Sequence, residues 1–158
     1  MIFELTPEEQ QTFDEILQPL LDAKKVNDMK KYIQHGTIST YDHCFEVAKG
    51  CLHCNRKYRI GADETVLLTA AMLHDFYLYD WHNSDRGKHD WHGYIHAERA
   101  RRNAVRHFNV EDEVQKAIYS HMWPLNLTRV PKSKEGWILC MVDKYVSFYE
   151  TVFCRKGE

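Results

Sequence analysis

Apolar residues recur along this chain at steps of three and four, a periodicity that predicts one helix after another. Thr6-Pro7-Glu8-Glu9 reads as a helix start: Thr6 caps, Pro7 suits the first helical position and Glu9 completes a capping box. Phe13, Ile16, Leu17, Leu20 and Leu21 then form the stripe to be buried. A shorter helix is expected over 27–34, stopped by Gly36. Ser39-Thr40-Tyr41-Asp42 looks like the next cap, for a helix running to about 58 and ending before Gly61. Asp63-Glu64 opens another, with Leu67, Ala70, Ala71 and His74 on one face. The pattern breaks over 79–93, where Asp80-Trp81-His82-Asn83-Ser84-Asp85-Arg86-Gly87 has loop composition. Helices resume over 95–108 and from 111 to about 121, the second closed by Pro124. Residues 125–132 read as irregular, and a last helix spans 134–153. No alternating strand pattern longer than a few residues occurs, and no low-complexity tract or repeat. The expected fold is all-α: one bundle of about six to seven helices, with 1–31 as an N-terminal helical extension and 32–153 as the helical core.

Composition narrows the function. A chain of 158 residues buries roughly 68–70% of the surface it exposes when unfolded, enough to stand on its own core. With 44% hydrophobic and 28% charged residues it is globular rather than disordered. The net charge of −2 and the lack of a basic block argue against an extended nucleic-acid partner. No apolar run approaches the ~18 residues of a membrane span. Met1-Ile2-Phe3-Glu4-Leu5-Thr6 has no charged region leading into an apolar stretch, so no signal peptide is expected. Five Cys then read as reduced thiols in a cytoplasmic protein. The 10 His stand out, because His is the commonest metal ligand.

Their placement on the expected helices is informative. His43 shares a face with Val47, Gly50, Cys51 and Cys54, so it points inward. His74 lies below Leu67, Ala70 and Ala71, and Asp75 follows it into the interior. His96 is in line with Ala100 and Asn103, and His121 with Val114, Ala117 and Ile118. Asp143 interrupts the apolar run of Leu139, Cys140, Val142 and Val146. One inward His is ordinarily a hydrogen-bonded core residue, and one buried Asp ordinarily pairs with a cation. Here Lys144 is the only cation beside Asp143, and no Arg stands near Asp75 in sequence. An unpaired buried carboxylate is costly, so these acids need positive charge.

The order His43, His74-Asp75, Asp143 resembles the HD-domain superfamily of metal-dependent phosphohydrolases, named for its adjacent His-Asp pair. With His96 and His121 the pattern is similar to its six-ligand, two-metal subset, and most of all to small stand-alone bacterial members. The supporting stretches are Tyr41-Asp42-His43-Cys44-Phe45-Glu46-Val47-Ala48, Ala71-Met72-Leu73-His74-Asp75, Ala117-Ile118-Tyr119-Ser120-His121 and Val142-Asp143-Lys144. The resemblance spans about 32–151. It implies a single HD-domain helical bundle, one or two divalent transition metals, and cleavage of a phosphate mono- or diester. One metal would take His43, His74, Asp75 and Asp143; the second would share Asp75 and take His96 and His121. A nitrogen and oxygen donor set without thiolate suits Fe foremost, or Mn, Co, Ni or Zn. Two carboxylates with one divalent ion balance to zero, whereas two ions leave a net charge of about +2, which holds phosphate and lowers the pKa of a bridging water to give the attacking hydroxide. The expected catalytic residues are Asp75, His96 and Lys144. The expected partner is a small phosphorylated substrate, a nucleotide or dinucleotide foremost, and a homodimer is allowed.

The chain departs from the family at one place. Many relatives follow the His-Asp pair with Ile-Gly-Lys, whose lysine is a phosphate-contact candidate; here Phe76-Tyr77-Leu78-Tyr79-Asp80-Trp81-His82 follows. Substrate contact is therefore expected from His82, His92, Arg102, Trp123 or Lys144. His92 and His96, four apart, compete for the third His ligand, and Gly93 favours His96 by weakening a helix through His92. Cys51-Leu52-His53-Cys54 has the spacing of a zinc or redox pair, but with no second pair nearby it reads as small core residues on a helix. His35, His53 and His107 need no special role. The same six ligands also resemble the di-iron oxygenases of this fold, and a metal-stabilised module that binds a nucleotide without turnover is a third option.

Overall fold

The computed structural model describes residues 2–77 and 92–153, without the side chains of His35, His92 and Tyr94. Residues 78–91, which include His82 and His89 and much of the stretch expected to be a loop, lie outside the described residues. Seven helices occur among them: α1 (Pro7–Leu21), α2 (Lys24–Asn27), α3 (Thr40–Lys57), α4 (Glu64–Leu73), α5 (His92–Phe108), α6 (Asp112–Ser120) and α7 (Lys134–Phe153). The expected all-α class holds. None of these helices is long and apolar enough to cross a membrane.

The helix starts form as their caps dictate. The Thr6 hydroxyl accepts from the Glu9 N–H at 3.2 Å, and Glu9 returns a carboxylate to the Thr6 N–H at 2.9 Å. Ser39 and Asp63 accept from the N–H groups of Asp42 and Val66, both at 3.1 Å, opening α3 and α4. Phe13 and Leu17 of α1 enter the same core as Val47, Leu67, Ala71, Ile118 and Leu139. At the centre, α3 packs along α4 and α7, and α6 lies against α4, α5 and α7. Gly50 sets how closely α3 meets α7, because a Cβ there would stand 2.7 Å from Val142 and 2.5 Å from the Phe3 ring.

Two expectations need correction. Residues 27–34 do not form a helix. A 3₁₀ turn (Asp28–Lys31) leads into β1 (Ile33–His35), which pairs antiparallel with β2 (Ile38–Ser39). Gly36, expected to stop a helix, instead takes φ +58° in the hairpin turn. The Thr40 N–H donates to the Tyr32 carbonyl at 2.8 Å, so the hairpin is continuous with the start of α3. A strand this short carries too little alternation to show in a pattern. The second correction is the start of α5, which begins at His92 and runs through Gly93 rather than starting near Ile95.

Candidate metal centre

Five helices deliver the six residues the sequence singled out. His43 comes from the first turn of α3 and Asp143 from the middle of α7. His74 and His121 are the C-caps of α4 and α6, each just past the last helical residue, and Asp75 follows His74. His96 projects from α5. All six are buried.

The two C-cap histidines share a construction. The last carbonyls of a helix have no N–H partner of their own. His74 Nδ1 donates to the Ala71 carbonyl and His121 Nδ1 to the Ile118 carbonyl, each at 2.7 Å and each three residues back. Nδ1 thus holds a proton in each ring, and Nε2 is turned to the interior. The rings sit edge to face with centroids 4.9 Å apart, so two helix C-termini, each with its partial negative charge, meet at the cluster. His43 is fixed on the same plan by a side chain: its Nδ1 lies 2.8 Å from Glu150 Oε2.

The inward atoms converge. His43 Nε2 is 3.1 Å and His74 Nε2 is 3.5 Å from Asp143 Oδ1. Asp75 reaches both ways: Oδ2 lies 3.6 Å from His74 Nε2, while Oδ1 lies 3.4 Å from His96 Nε2 and 3.7 Å from His121 Nε2. His96 and His121 face each other Nε2 to Nε2 at 3.2 Å. The potential ligand atoms form two groups, each within 4.8 Å: His43, His74 and Asp143, and His74, Asp75 and His121.

These residues fit a metal ion on two counts. Asp75 Oδ1 and His74 Nε2 are buried and accept or donate no hydrogen bond, a costly arrangement unless a cation meets them. The electrostatics also ask for positive charge. Burial opposes a charged His43, yet its bonds to Asp143 and Glu150 outweigh that and carry its pKa up to about 10. Burial would raise Asp75, but the surrounding imidazoles hold it down at about 2. Burial and the neighbouring His74 push His121 down to about 3, keeping it neutral and ready to ligate.

A family model for the HD domain matches residues 40–147, more than half of the chain. The chain belongs to the HD-domain family. No curated protein and no solved structure matches it. HD domains bind divalent metals, and the His and Asp groups of this HD domain are placed to hold one.

Helix α5 runs through His92, and His96 Nε2 meets Asp75 and His121. The His92 side chain and all of His82 lie outside the described residues. Lys144 Nζ donates to the His121 carbonyl at 2.8 Å and to the Cys140 carbonyl at 3.3 Å, bracing the end of α6. Arg102 is largely exposed and pairs with Glu98 at 2.7 Å. Trp123 packs edge to face on Trp137, centroids 5.1 Å apart. Cys51 is buried and burial pushes its thiol well up, as it does that of half-buried Cys54, consistent with inert packing.

Two functional side chains escaped the sequence. Glu150 is buried two turns beyond Asp143 on α7, and the seven-residue spacing was the signal for it. As a third carboxylate it would lower the net charge of a site holding two divalent ions to about +1. Gln34, on β1, donates to Asp75 Oδ2 at 2.5 Å and accepts from the Tyr77 hydroxyl. No pattern marked Gln34, because the hairpin that carries it was not foreseen.

Proposed function

We propose that this HD domain is a metal-dependent phosphohydrolase that cleaves a phosphate mono- or diester of a nucleotide or dinucleotide, using two divalent ions with Fe foremost. The observation that carries the proposal is the pair of orphaned buried atoms, Asp75 Oδ1 and His74 Nε2, at the meeting point of the two ligand groups. His43, His74, Asp75 and Asp143 would hold one ion and Asp75, His96 and His121 the other. Bound divalent ions supply Lewis acidity, an acidified water and charge neutralisation for the phosphoryl oxygens.

The chain's own residues do the rest. Glu150, Ala71 and Ile118 fix the imidazole Nδ1 protons, so that Nε2 of His43, His74 and His121 stays aimed inward. Gln34 orients the Asp75 carboxylate through Oδ2 and leaves Oδ1 toward His96 and His121. Lys144 keeps His121 in place through its carbonyl. His82, His92, Arg102 and Trp123 remain the proposed substrate contacts, with Lys144 and His96 closest to the reacting group.

The test is turnover by metal-loaded protein on nucleotides, dinucleoside polyphosphates and an aryl phosphate, with oxygen present and excluded. Release of phosphate or a nucleotide at equal rates in both atmospheres is expected. Oxygen consumption with a diol or phosphonate, and no phosphate-ester cleavage, would move the assignment to di-iron oxygenase chemistry on the same ligands.

A further inference from the structure

Most helices here show the two faces expected of a water-soluble bundle. The exposed positions of α1 are Glu8, Gln11, Asp14, Glu15, Gln18 and two prolines, and α5 exposes Arg99, Arg102 and Arg106. Helix α7 differs. Its inner face carries Leu139, Asp143, Val146 and Glu150, but its outer face, beyond Lys134, is Trp137, Met141, Tyr145, Phe148, Thr151, Val152 and Phe153, with no charged residue. Met141 is 58%, Tyr145 54% and Phe148 65% exposed. A contiguous apolar stripe of this kind marks an interaction surface rather than scattered surface hydrophobics.

We infer that this stripe is the interface of a homodimer, in which α7 packs antiparallel on α7 of a second copy. Met141, Tyr145, Phe148 and Val152 are spaced four, three and four residues apart, the seam of a helix pair. That spacing reads the same in both directions. Across a two-fold axis between Tyr145 and Phe148, Met141 of one copy meets Val152 of the other and Tyr145 meets Phe148. The stripe is therefore complementary to itself, as an interface between identical patches must be.

The area also matches. Aromatic side chains bury about 150–250 Å² each, so the half-exposed residues of α7 offer roughly 600 Å² per chain. Tyr58, 66% exposed, and Phe3, tilted against Tyr145 with ring centroids 5.9 Å apart, line a groove beside Met141 and Tyr145 and extend the patch. Together they approach the ~800 Å² per partner of a standard stable interface. A charged partner surface has nothing to pair with on the stripe, which favours a second copy over an acidic or basic protein.

Sedimentation equilibrium of the full chain tests this. The expected mass is that of two 18.8 kDa chains. The double variant Tyr145→Glu/Phe148→Glu would bury unpaired charge and raise the dissociation constant at least about a hundredfold, giving a monomer with unchanged helical circular dichroism. Phe148→Ser, which adds no charge, weakens the dimer roughly thirtyfold and keeps the test alive if the double variant fails to fold. Arg102→Glu/Arg106→Glu on the outer face of α5 leaves the mass at two chains. A wild-type chain that is monomeric at about 100 μM, well above the affinity expected for an interface of this size, overturns the inference. So does a dimer that Tyr145→Glu/Phe148→Glu leaves intact.

Discussion

The two halves of the candidate metal centre are held in different ways. On the α3–α7 side, Asp143 Oδ1 lies 3.1 Å from His43 Nε2 and accepts from the Ser147 hydroxyl at 3.3 Å, while Glu150 Oε2 lies 2.8 Å from Nδ1 on the far side of the same ring. That chain of groups is satisfied by protein alone, and it sits where Gly50 draws α3 and α7 together. On the α5–α6 side, Asp75 Oδ1 accepts no hydrogen bond, and the imidazoles of His96 and His121 face each other with Nε2 atoms 3.2 Å apart. On the first half, protein groups meet both ring nitrogens of His43 and leave His74 Nε2 open; on the second, the atom left open is Asp75 Oδ1. The first half is thus a preformed seat, and the second is an assembly whose order depends on what it binds.

Three perturbations sharpen that contrast, in descending size of effect. Asp75 faces both halves, so Asp75→Ala is expected to remove both ions and with them all hydrolysis; metal analysis of the purified variant reads this directly, and retained activity would break the six-ligand assignment. His121→Ala acts on one half only. Metal content is expected to fall from two ions per chain to one, with the remaining ion on His43, His74, Asp75 and Asp143; loss of both would show that the halves are not separable. Hydrogen exchange should then report loosened α5 and α6 beside a protected α3 and α7.

The smallest effect is expected at Glu150, which touches a ligand rather than the ion. Glu150→Gln keeps the shape and removes the charge, and is expected to weaken metal affinity about 10–100-fold in a competition titration. It has a pH signature as well. In metal-free protein His43 titrates at about 10, above its ordinary value of 6.5. A folded-state pKa raised in this way contributes stability that is complete below 6.5 and lost as pH climbs toward 10. Metal-free wild type is therefore expected to lose Tm between pH 7 and 10, and Glu150→Gln to lose less. A residue that merely filled space would lower Tm equally at every pH.

Much of this was legible along the chain, and the reasons are local. The caps at Thr6, Ser39 and Asp63 act within three residues, so their helices start where the sequence says. The inward direction of His43, His96 and Asp143 follows from the 3.6-residue repeat and the apolar neighbours that share it. His74 and His121 are C-caps rather than residues of the helix body, yet they point inward all the same, because Nδ1 of each is tied to the carbonyl three residues back.

The remainder is non-local and belongs to the tertiary structure. Gln34 meets Asp75 across 41 residues and Glu150 meets His43 across 107, distances over which no periodicity carries information. The β-hairpin that delivers Gln34 forms because Gly36 turns back and the Tyr32 carbonyl receives the Thr40 N–H. Sequence determined that six candidate ligands would face a helical core, since amphipathic periodicity decides which side of each helix is buried. Only the packing of five helices decided which of these side chains come within reach of one another, which are braced by protein and which buried atoms are left open, because those depend on distances between residues that are remote in the chain.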